Sequence, residues 1–114
     1  MLLNTYTLEI KKSKFIGMFY DIKDKNEVKD ILNKLKEEHP KARHMPYAYI
    51  VNGTARKSDD KEPHNSSGMQ IYNQLMMHNK DHHLLVIIRY FGGTKLGASN
   101  LLRAYLNTAK NSII

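Results

Sequence analysis

A glycine-rich segment at residues 91–97 holds the residues best suited to bind an anion. Its glycines are Gly92, Gly93 and Gly97. Glycine allows positive φ and lets the backbone pass close to a ligand, and Lys95 adds a positive charge inside the segment. An amphipathic helix pattern follows, and the first N–H groups of a helix attract phosphates and carboxylates. The spacing therefore predicts either an anion-binding loop or a tight strand-to-helix turn without a ligand.

A nucleotide-binding P-loop is excluded at one position. Gly92 and Gly97 have the spacing of the first and last glycines of that motif, but Ala98 occupies the position of its phosphate-binding lysine. Lys95 lies inside the loop instead, where it is aimed differently. We therefore expect no ATP or GTP site in this segment.

An acidic loop at residues 58–68 offers a second kind of chemistry. Its acidic residues are Asp59, Asp60 and Glu62. Together with His64 they supply ligands suited to Mg²⁺ or Mn²⁺, or a carboxylate base. The alternative is that the acids form turn and cap hydrogen bonds or pair with Arg56. The sequence favours this alternative, because Lys61 interrupts the acids and partly neutralises any metal site.

Other catalytic patterns are missing. The six histidines form no HExxH motif or paired helical spacing, no GxSxG elbow activates a serine, and cysteine is absent. The sequence does not decide whether the protein is an enzyme. It favours a binding module, for which we expect no cofactor.

The composition predicts a soluble single domain with a polyanionic partner. The chain has 114 residues, 41% of them hydrophobic, and no apolar stretch as long as the ~20 residues of a membrane span. We expect a cytoplasmic protein with no membrane partner. The formal charge of +7 indicates RNA, although lysine-favouring codon usage would also produce it. The arginines, whose planar fork suits phosphate better, all lie in motif segments: Arg43, Arg56, Arg89 and Arg103.

Local patterns predict five strands. The expected ranges are Tyr6–Ile10, Phe15–Tyr20, Tyr47–Val51, Thr54–Lys57 and Leu84–Ile88. The first two form a hairpin, and Asn52-Gly53 is the turn signal of a second hairpin. The continuous apolar run Leu84–Ile88 is typical of a strand covered on both faces.

Three amphipathic helices complete the pattern. The first starts with a capping box of Asp24 and Glu27 and ends near Glu38, ahead of Pro40. The expected caps of the other two are Ser66 or Ser67, and Ser99 or Asn100. The expected inner faces are Val28, Ile31, Leu32 and Leu35; Ile71, Tyr72, Leu75 and Met76; and Leu101, Leu102, Tyr105 and Ala109.

Four ordered segments resemble the IMPACT family, whose bacterial members are the YigZ-like proteins. The segments are LysSerLysPhe (12–15), HisProLysAlaArgHis (39–44), SerAspAspLysGluPro (58–63), and ArgTyrPheGlyGlyThrLysLeuGly through LeuArgAlaTyr (89–105). The likeness covers residues 10–110 approximately. Two positions depart from the family pattern, in which Gly usually stands in place of Lys61 and Pro often in place of Gln70.

The resemblance implies an α+β fold with a mixed β-sheet and helices packed on one face. This fold is similar to the second domain of ribosomal protein S5 and to domain IV of elongation factor G. Those relatives contact ribosomal RNA or the ribosome, so the resemblance also implies an association with translation. YigZ-like proteins commonly carry a second, ferredoxin-like domain after the first, whereas we expect a single IMPACT N-terminal-type domain over residues 1–114.

Together, the residues and the resemblance predict a module that binds RNA, the ribosome or another polyanion through a face formed by the acidic and glycine-rich loops. Tyr90 or Phe91 would stack on an exposed base. The expected contacts are Arg43, His44, Arg56, Arg89, Gly92, Gly93, Lys95, Gly97 and Arg103. Two alternatives stay open: a metal-dependent hydrolase acting on a phosphate-containing substrate at the same face, and an interaction module for a ribosome-associated protein.

Overall fold

Five β-strands form a single sheet in the computed structural model, which describes all 114 residues. The strands are β1 Leu2–Ile10, β2 Ser13–Asp21, β3 Tyr47–Val51, β4 Thr54–Ser58 and β5 His83–Tyr90. The helices are α1 Asn26–Glu38, α2 Gly68–Met77 and α3 Ala98–Ser112. All the predicted strands and helices are therefore present. No helix combines the length and the apolar character needed to cross a membrane.

The predicted α+β class is confirmed. The sheet, however, is antiparallel and not mixed as predicted. The strand order is β1-β2-β5-β3-β4. β2 and β3 run in the same direction, because α1 crosses over between them, but β5 lies between these two strands and runs opposite to both. Strands that point the same way are thus never neighbours in this sheet. The likeness to ribosomal protein S5 stays a prediction.

β5 is the central strand, and its apolar run is buried on both faces, as its composition predicts. The residues toward α2 and α3 are Leu85 and Ile87, and those on the opposite face are Leu84, Val86 and Ile88. Val28 and Leu35 of α1 belong to the core on that opposite face. Helices therefore cover both faces of the sheet rather than one, since an apolar strand of this kind must be shielded on both sides.

Both hairpins turn through two residues with positive φ. Lys11 and Lys12 join β1 to β2 with φ of 48° and 66°, and Asn52 and Gly53 join β3 to β4 with φ of 51° and 77°. Two successive positive φ values are the signature of a type I′ turn, whose twist matches that of the paired strands. The Asp81 carboxylate accepts hydrogen bonds from the Gly53 and Asn52 N–H groups at 2.8 and 3.0 Å. The second turn is thereby fastened to the segment that leads into β5.

α1 begins and ends where the sequence predicts. The Glu27 carboxylate accepts a hydrogen bond from the Asp24 N–H at 3.2 Å, and Asp24 Oδ1 accepts one from the Asn26 N–H at 2.8 Å. This exchange of side-chain and backbone groups stabilises the helix start in the manner of a capping box. The helix ends at Glu38, ahead of Pro40.

Ser67 occupies the predicted N-cap position of α2, whereas the predicted cap of α3 is wrong. Ser67 does not cap α2 with its side chain, because its hydroxyl donates to Asp59 Oδ1 at 2.9 Å. α3 begins directly after Gly97, so Ser99 and Asn100 lie inside its first turn. Two residues expected on inner faces are instead exposed, Met76 at 52% and Leu102 at 37%.

Candidate functional site

The acidic loop contains three carboxylates with three different sets of partners. Asp59 accepts hydrogen bonds from the Gly68 N–H at 2.8 Å, the Ser67 hydroxyl at 2.9 Å and the Asn65 N–H at 3.0 Å. Partial burial alone would raise the pKa of Asp59, but these hydrogen bonds together lower it below its ordinary value. Asp59 is therefore the cap of α2, supplied from outside the helix.

Asp60 fastens the segment that leads into β3. Its Oδ2 accepts a hydrogen bond from the Met45 N–H at 2.7 Å, and its backbone carbonyl lies 2.8 Å from His44 Nδ1. Asp60 and Lys61 have positive φ of 45° and 69°, which is uncommon for residues with a side chain. The contacts to His44 and Met45 hold this turn in place.

Glu62 lies at the centre of a buried cluster that also contains Arg89, Tyr105 and His44. Arg89 Nη1 donates to Oε1 and Oε2 of Glu62 at 2.9 and 2.7 Å, and the Tyr105 hydroxyl donates to Oε2. His44 Nε2 lies 3.5 Å from Oε1. Burial, followed by the negative charge of Glu62, raises the pKa of Tyr105, so its hydroxyl keeps the proton that it donates. This Glu62 cluster joins the acidic loop, β5 and α3.

Arg89 is thus an interior residue, 8% exposed, and not the exposed phosphate contact that we expected. Its guanidinium carbon also lies 5.6 Å from the centre of the Phe15 ring. The predicted pairing of the acidic loop with Arg56 or Arg43 is not found, because neither arginine forms an ion pair. The partner of Glu62 lies 27 residues along the chain, on a strand that local reasoning could not place beside it.

The carboxylates of the acidic loop do not converge on a common point. Asp59 is bound to α2, Asp60 to the segment before β3, and Glu62 to Arg89. No group of three or more histidine, aspartate or glutamate side chains is arranged to hold a metal ion. In this geometry the acidic loop is a brace between elements of the fold.

The glycines of the glycine-rich loop are required for two different reasons. A Cβ at Gly92 would lie 2.1 Å from the backbone carbonyl carbon of Lys12, so the loop could not pack against the β1–β2 turn. Gly93 and Gly97 have φ of 89° and 81° and open space around them. At these two positions it is the backbone conformation that favours glycine. The backbone at Gly93 and Gly97 therefore stays accessible from outside.

A run of unpaired backbone donors follows Gly92. From Gly93 to Asn100, none of the N–H groups donates to an acceptor within the protein. Leu101 is the first residue of α3 with a bonded N–H, which donates to the Gly97 carbonyl at 3.0 Å. The positive end of the helix dipole lies at this same point. The arrangement is well suited to an anion.

Exposed cations adjoin this run of donors. Lys95 lies inside the loop, and Arg103 lies on α3, where it donates to Asn100 Oδ1 at 3.2 Å. Arg43 joins them from the segment before β3, since its guanidinium carbon lies 4.8 Å from the centre of the Phe91 ring. Arg56 is not part of this group, because it lies on β4 at the edge of the sheet.

Tyr90 and Phe91 face in different directions, as strand alternation predicts. The Tyr90 hydroxyl is hydrogen-bonded to His39 Nδ1, and its ring packs against the core beneath α1. Phe91 is 39% exposed, with Arg43 over its ring. Phe91 is therefore the more exposed of the two rings, and its stacking on a base stays a prediction.

Two further cations, Lys11 and Lys12, were not among the predicted contacts. They form the β1–β2 turn, against which Gly92 packs, and both are exposed. The Gly92 N–H donates to the hydroxyl of the following Ser13 at 3.2 Å. Their position in a lysine-rich link between two predicted strands was the feature of the sequence that could have pointed to them. We call the assembled region the loop surface; it comprises Lys11, Lys12, Arg43, Phe91, residues 93–100 and Arg103.

Comparison with known proteins gives consistent matches over most of the chain. The model of the Impact N-terminal domain matches residues 11–113. The IMPACT family member YvyE of Bacillus subtilis is 32% identical over 103 residues, which are 88% of this chain and 48% of that protein. The family member YigZ of Escherichia coli is 34% identical over 106 residues, 89% of this chain and 52% of that protein. The chain thus spans about half the length of these relatives.

Two solved structures share the fold. A crystal structure described as that of a hypothetical protein superimposes with a TM-score of 0.91 at 32% identity, covering 96% of this chain and 55% of the other. The two-domain translational regulator Yih1 superimposes with a TM-score of 0.57 at 17% identity, covering 96% of this chain and 45% of Yih1. The extent of the family match and the identity to the bacterial relatives show that this chain belongs to the IMPACT family.

Proposed function

We propose that this chain is a translation-associated module that binds RNA, as part of the ribosome or free, through the loop surface. The observation that carries the proposal is the run of unpaired N–H groups from Gly93 to Asn100 with exposed cations beside it. Phosphate oxygens accept hydrogen bonds from such donors and are attracted by the helix dipole. The description of Yih1 as a translational regulator supports a place in translation.

The carboxylates of the acidic loop are not paired with the cations of the loop surface. Asp59 and Glu62 are turned toward partners within the protein, and the charge of Glu62 is matched by Arg89. The chain as a whole carries a formal charge of +7. The lysines and arginines of this surface form no ion pair within the protein, which favours a polyanion as ligand.

Arg89 has a positioning role in this proposal. Its backbone N–H donates to the His44 carbonyl at 2.9 Å, and its carbonyl accepts from the Arg43 N–H at 2.7 Å. Its side chain holds Glu62 and, through Glu62, Tyr105 of α3. Arg89 thereby fixes Arg43 on one side of the loop surface and α3 on the other.

The substitution Ala98→Pro tests the proposal at one backbone donor. Ala98 is the first residue of α3 and is exposed, and proline is well tolerated at a first helical position. Gly97 has ψ of 160°, which is compatible with a following proline. The variant therefore keeps the helix and the net charge but removes one N–H. A hydrogen bond to a charged acceptor contributes about 1.5–3 kcal/mol, so RNA affinity should fall about tenfold or more.

Ala98→Val is the matched control, because it adds bulk at the same exposed position and keeps the N–H. Fluorescence anisotropy with a labelled single-stranded RNA, and sedimentation with ribosomes, measure the affinity of both variants. We expect the loss only in Ala98→Pro. Equal affinity of the two variants for RNA and for ribosomes would contradict the proposed contact at the first turn of α3.

A further inference from the structure

A second basic surface lies between α1 and β4, on the sheet face opposite α2 and α3. It is a groove of about 360 Å³, which we call the α1–β4 groove. Its charged and aromatic lining residues are Lys25, Lys29, Lys36, Arg56, Tyr47 and Tyr49. No acidic residue lines it, and none of its four cations forms an ion pair. A long cationic side chain without a counter-charge is available to an external anion.

The positive character of the groove is not a simple consequence of a lysine-rich helix. α1 also carries acidic residues, and two of them, Glu27 and Glu38, line the other side of the helix together with Lys34. Lys25, Lys29 and Lys36 line the groove side. The groove is therefore lined by cations alone, whereas the side of α1 toward β1 carries mixed charges. The acidic residue beside the groove is Asp24, which lines an adjoining crevice with Lys25 and Arg56.

The groove is continuous with the loop surface. Lys36 lines both the groove and a neighbouring crevice that contains Arg43 and His44. The crevice also contains Asp60, whose carboxylate accepts a hydrogen bond from the Met45 N–H. Arg43 in turn lies over Phe91, at the start of the glycine-rich loop. A track of cations therefore runs from the loop surface, past Arg43 and Lys36, into the groove that ends at Arg56.

We propose that the α1–β4 groove binds the sugar–phosphate backbone of the same RNA strand that occupies the loop surface. This inference rests on the function proposed above. An RNA strand carries phosphates at regular intervals, so a single strand can neutralise cations along the whole track. The Tyr47 ring is partly exposed and lies parallel to the Tyr49 ring, at 4° between planes and 6.5 Å between centres. A flat, partly exposed ring beside cations suits a base stacked next to its phosphate.

The experiment compares two double variants that each remove two positive charges. Lys29→Gln/Arg56→Gln alters the groove, and Lys34→Gln/Lys110→Gln alters exposed lysines outside the track. The probe is a fluorescein-labelled oligouridylate of about 16 nucleotides, long enough to extend beyond one small site. Its affinity is measured by anisotropy across a salt series. The slope of log affinity against log salt is negative. Loss of two phosphate contacts should reduce its magnitude by about 1.4, in the groove variant alone.

Each other outcome overturns the inference in its own way. An equal change in both double variants would make it an effect of net charge. An unchanged slope in the groove variant would leave the groove without RNA, and the response of Ala98→Pro would then show whether the loop surface still binds. Binding of polyglutamate that only the groove variant loses, with RNA affinity unchanged, would assign the groove to an acidic protein. If the wild type binds no RNA at all, the proposed function itself fails.

Discussion

The substitution Glu62→Gln should be the most informative single change to the stability of the protein. It keeps the volume of the side chain but removes the negative charge opposite Arg89. The side chains of Glu62 and Arg89 are 3% and 10% exposed, so water cannot replace the lost partner. Leaving one member of a buried ion pair uncompensated costs about 3–5 kcal/mol. The free energy of unfolding of a domain is about 5–15 kcal/mol, so this loss is a large part of the total.

For Glu62→Gln we expect the free energy of unfolding to fall by about 3 kcal/mol, the lower end of the range for a broken buried ion pair. The guanidinium of Arg89 keeps its contact with the Phe15 ring, and the amide oxygen of a glutamine can still accept one hydrogen bond. A loss of about 3 kcal/mol, with a slope of about 1–3 kcal/mol per molar urea, moves the unfolding midpoint down by at least about 1 M. Urea unfolding followed by circular dichroism measures this shift.

A double variant distinguishes the loss of the ion pair from general damage to the core. In Glu62→Gln/Arg89→Met the unpaired charge is also removed, so the double variant should lose less than the sum of the two single variants. We expect a coupling of at least about 2 kcal/mol, because replacing both members of a buried pair by neutral groups is much less costly than breaking it. Additive losses, or a Glu62→Gln midpoint equal to that of the wild type, would refute the assignment of this pair as the brace of the acidic loop.

Two further predictions follow from the loops. Gly92→Ala should destabilise the protein by at least about 2 kcal/mol, because its Cβ would meet the Lys12 backbone, whereas Gly93→Ala should lose only about 1 kcal/mol from its positive φ. Urea midpoints of the two variants check this order, and the reverse order would mean that conformation outweighs packing there. The pKa of Asp59 is lower in the folded protein than its ordinary value of 3.8. The charge of Asp59 therefore stabilises the fold at pH values above 3.8, and this contribution is lost as the pH falls through the lowered pKa. The stability gap between wild type and Asp59→Asn should therefore close below pH 3.8; a gap that does not change with pH would contradict it.

The sequence predicts those parts of the fold that depend on neighbouring residues. The β3–β4 hairpin follows from Asn52-Gly53, and α1 follows from its capping box and apolar spacing, since both signals act within a few residues. The central position of β5 is only half visible: its apolar run requires cover on both faces but does not say which strands lie beside it.

The candidate site is harder to predict because its residues acquire their roles through distant contacts. Arg89 looks like a ligand-binding arginine in the sequence, and only the packing of the acidic loop beneath it supplies Glu62. Gly92 looks like a place where a ligand approaches the backbone, yet the approaching group is Lys12 of the β1–β2 turn. In both cases the sequence indicates correctly that the residue makes a close contact. The contacting group lies too far along the chain to be inferred.

The central place of β5 also affects how the chain can fold as it is synthesised. β1 with β2, and β3 with β4, can pair early, because each forms a hairpin from neighbouring residues. Neither hairpin touches the other within the sheet, since β5 separates β2 from β3. Until residues 83–90 have left the ribosome, each hairpin has an inner edge with unpaired backbone groups, which is a template for wrong pairing. The sheet can therefore be completed only after β5 has emerged, and we expect a nascent chain interrupted before it to be prone to aggregation.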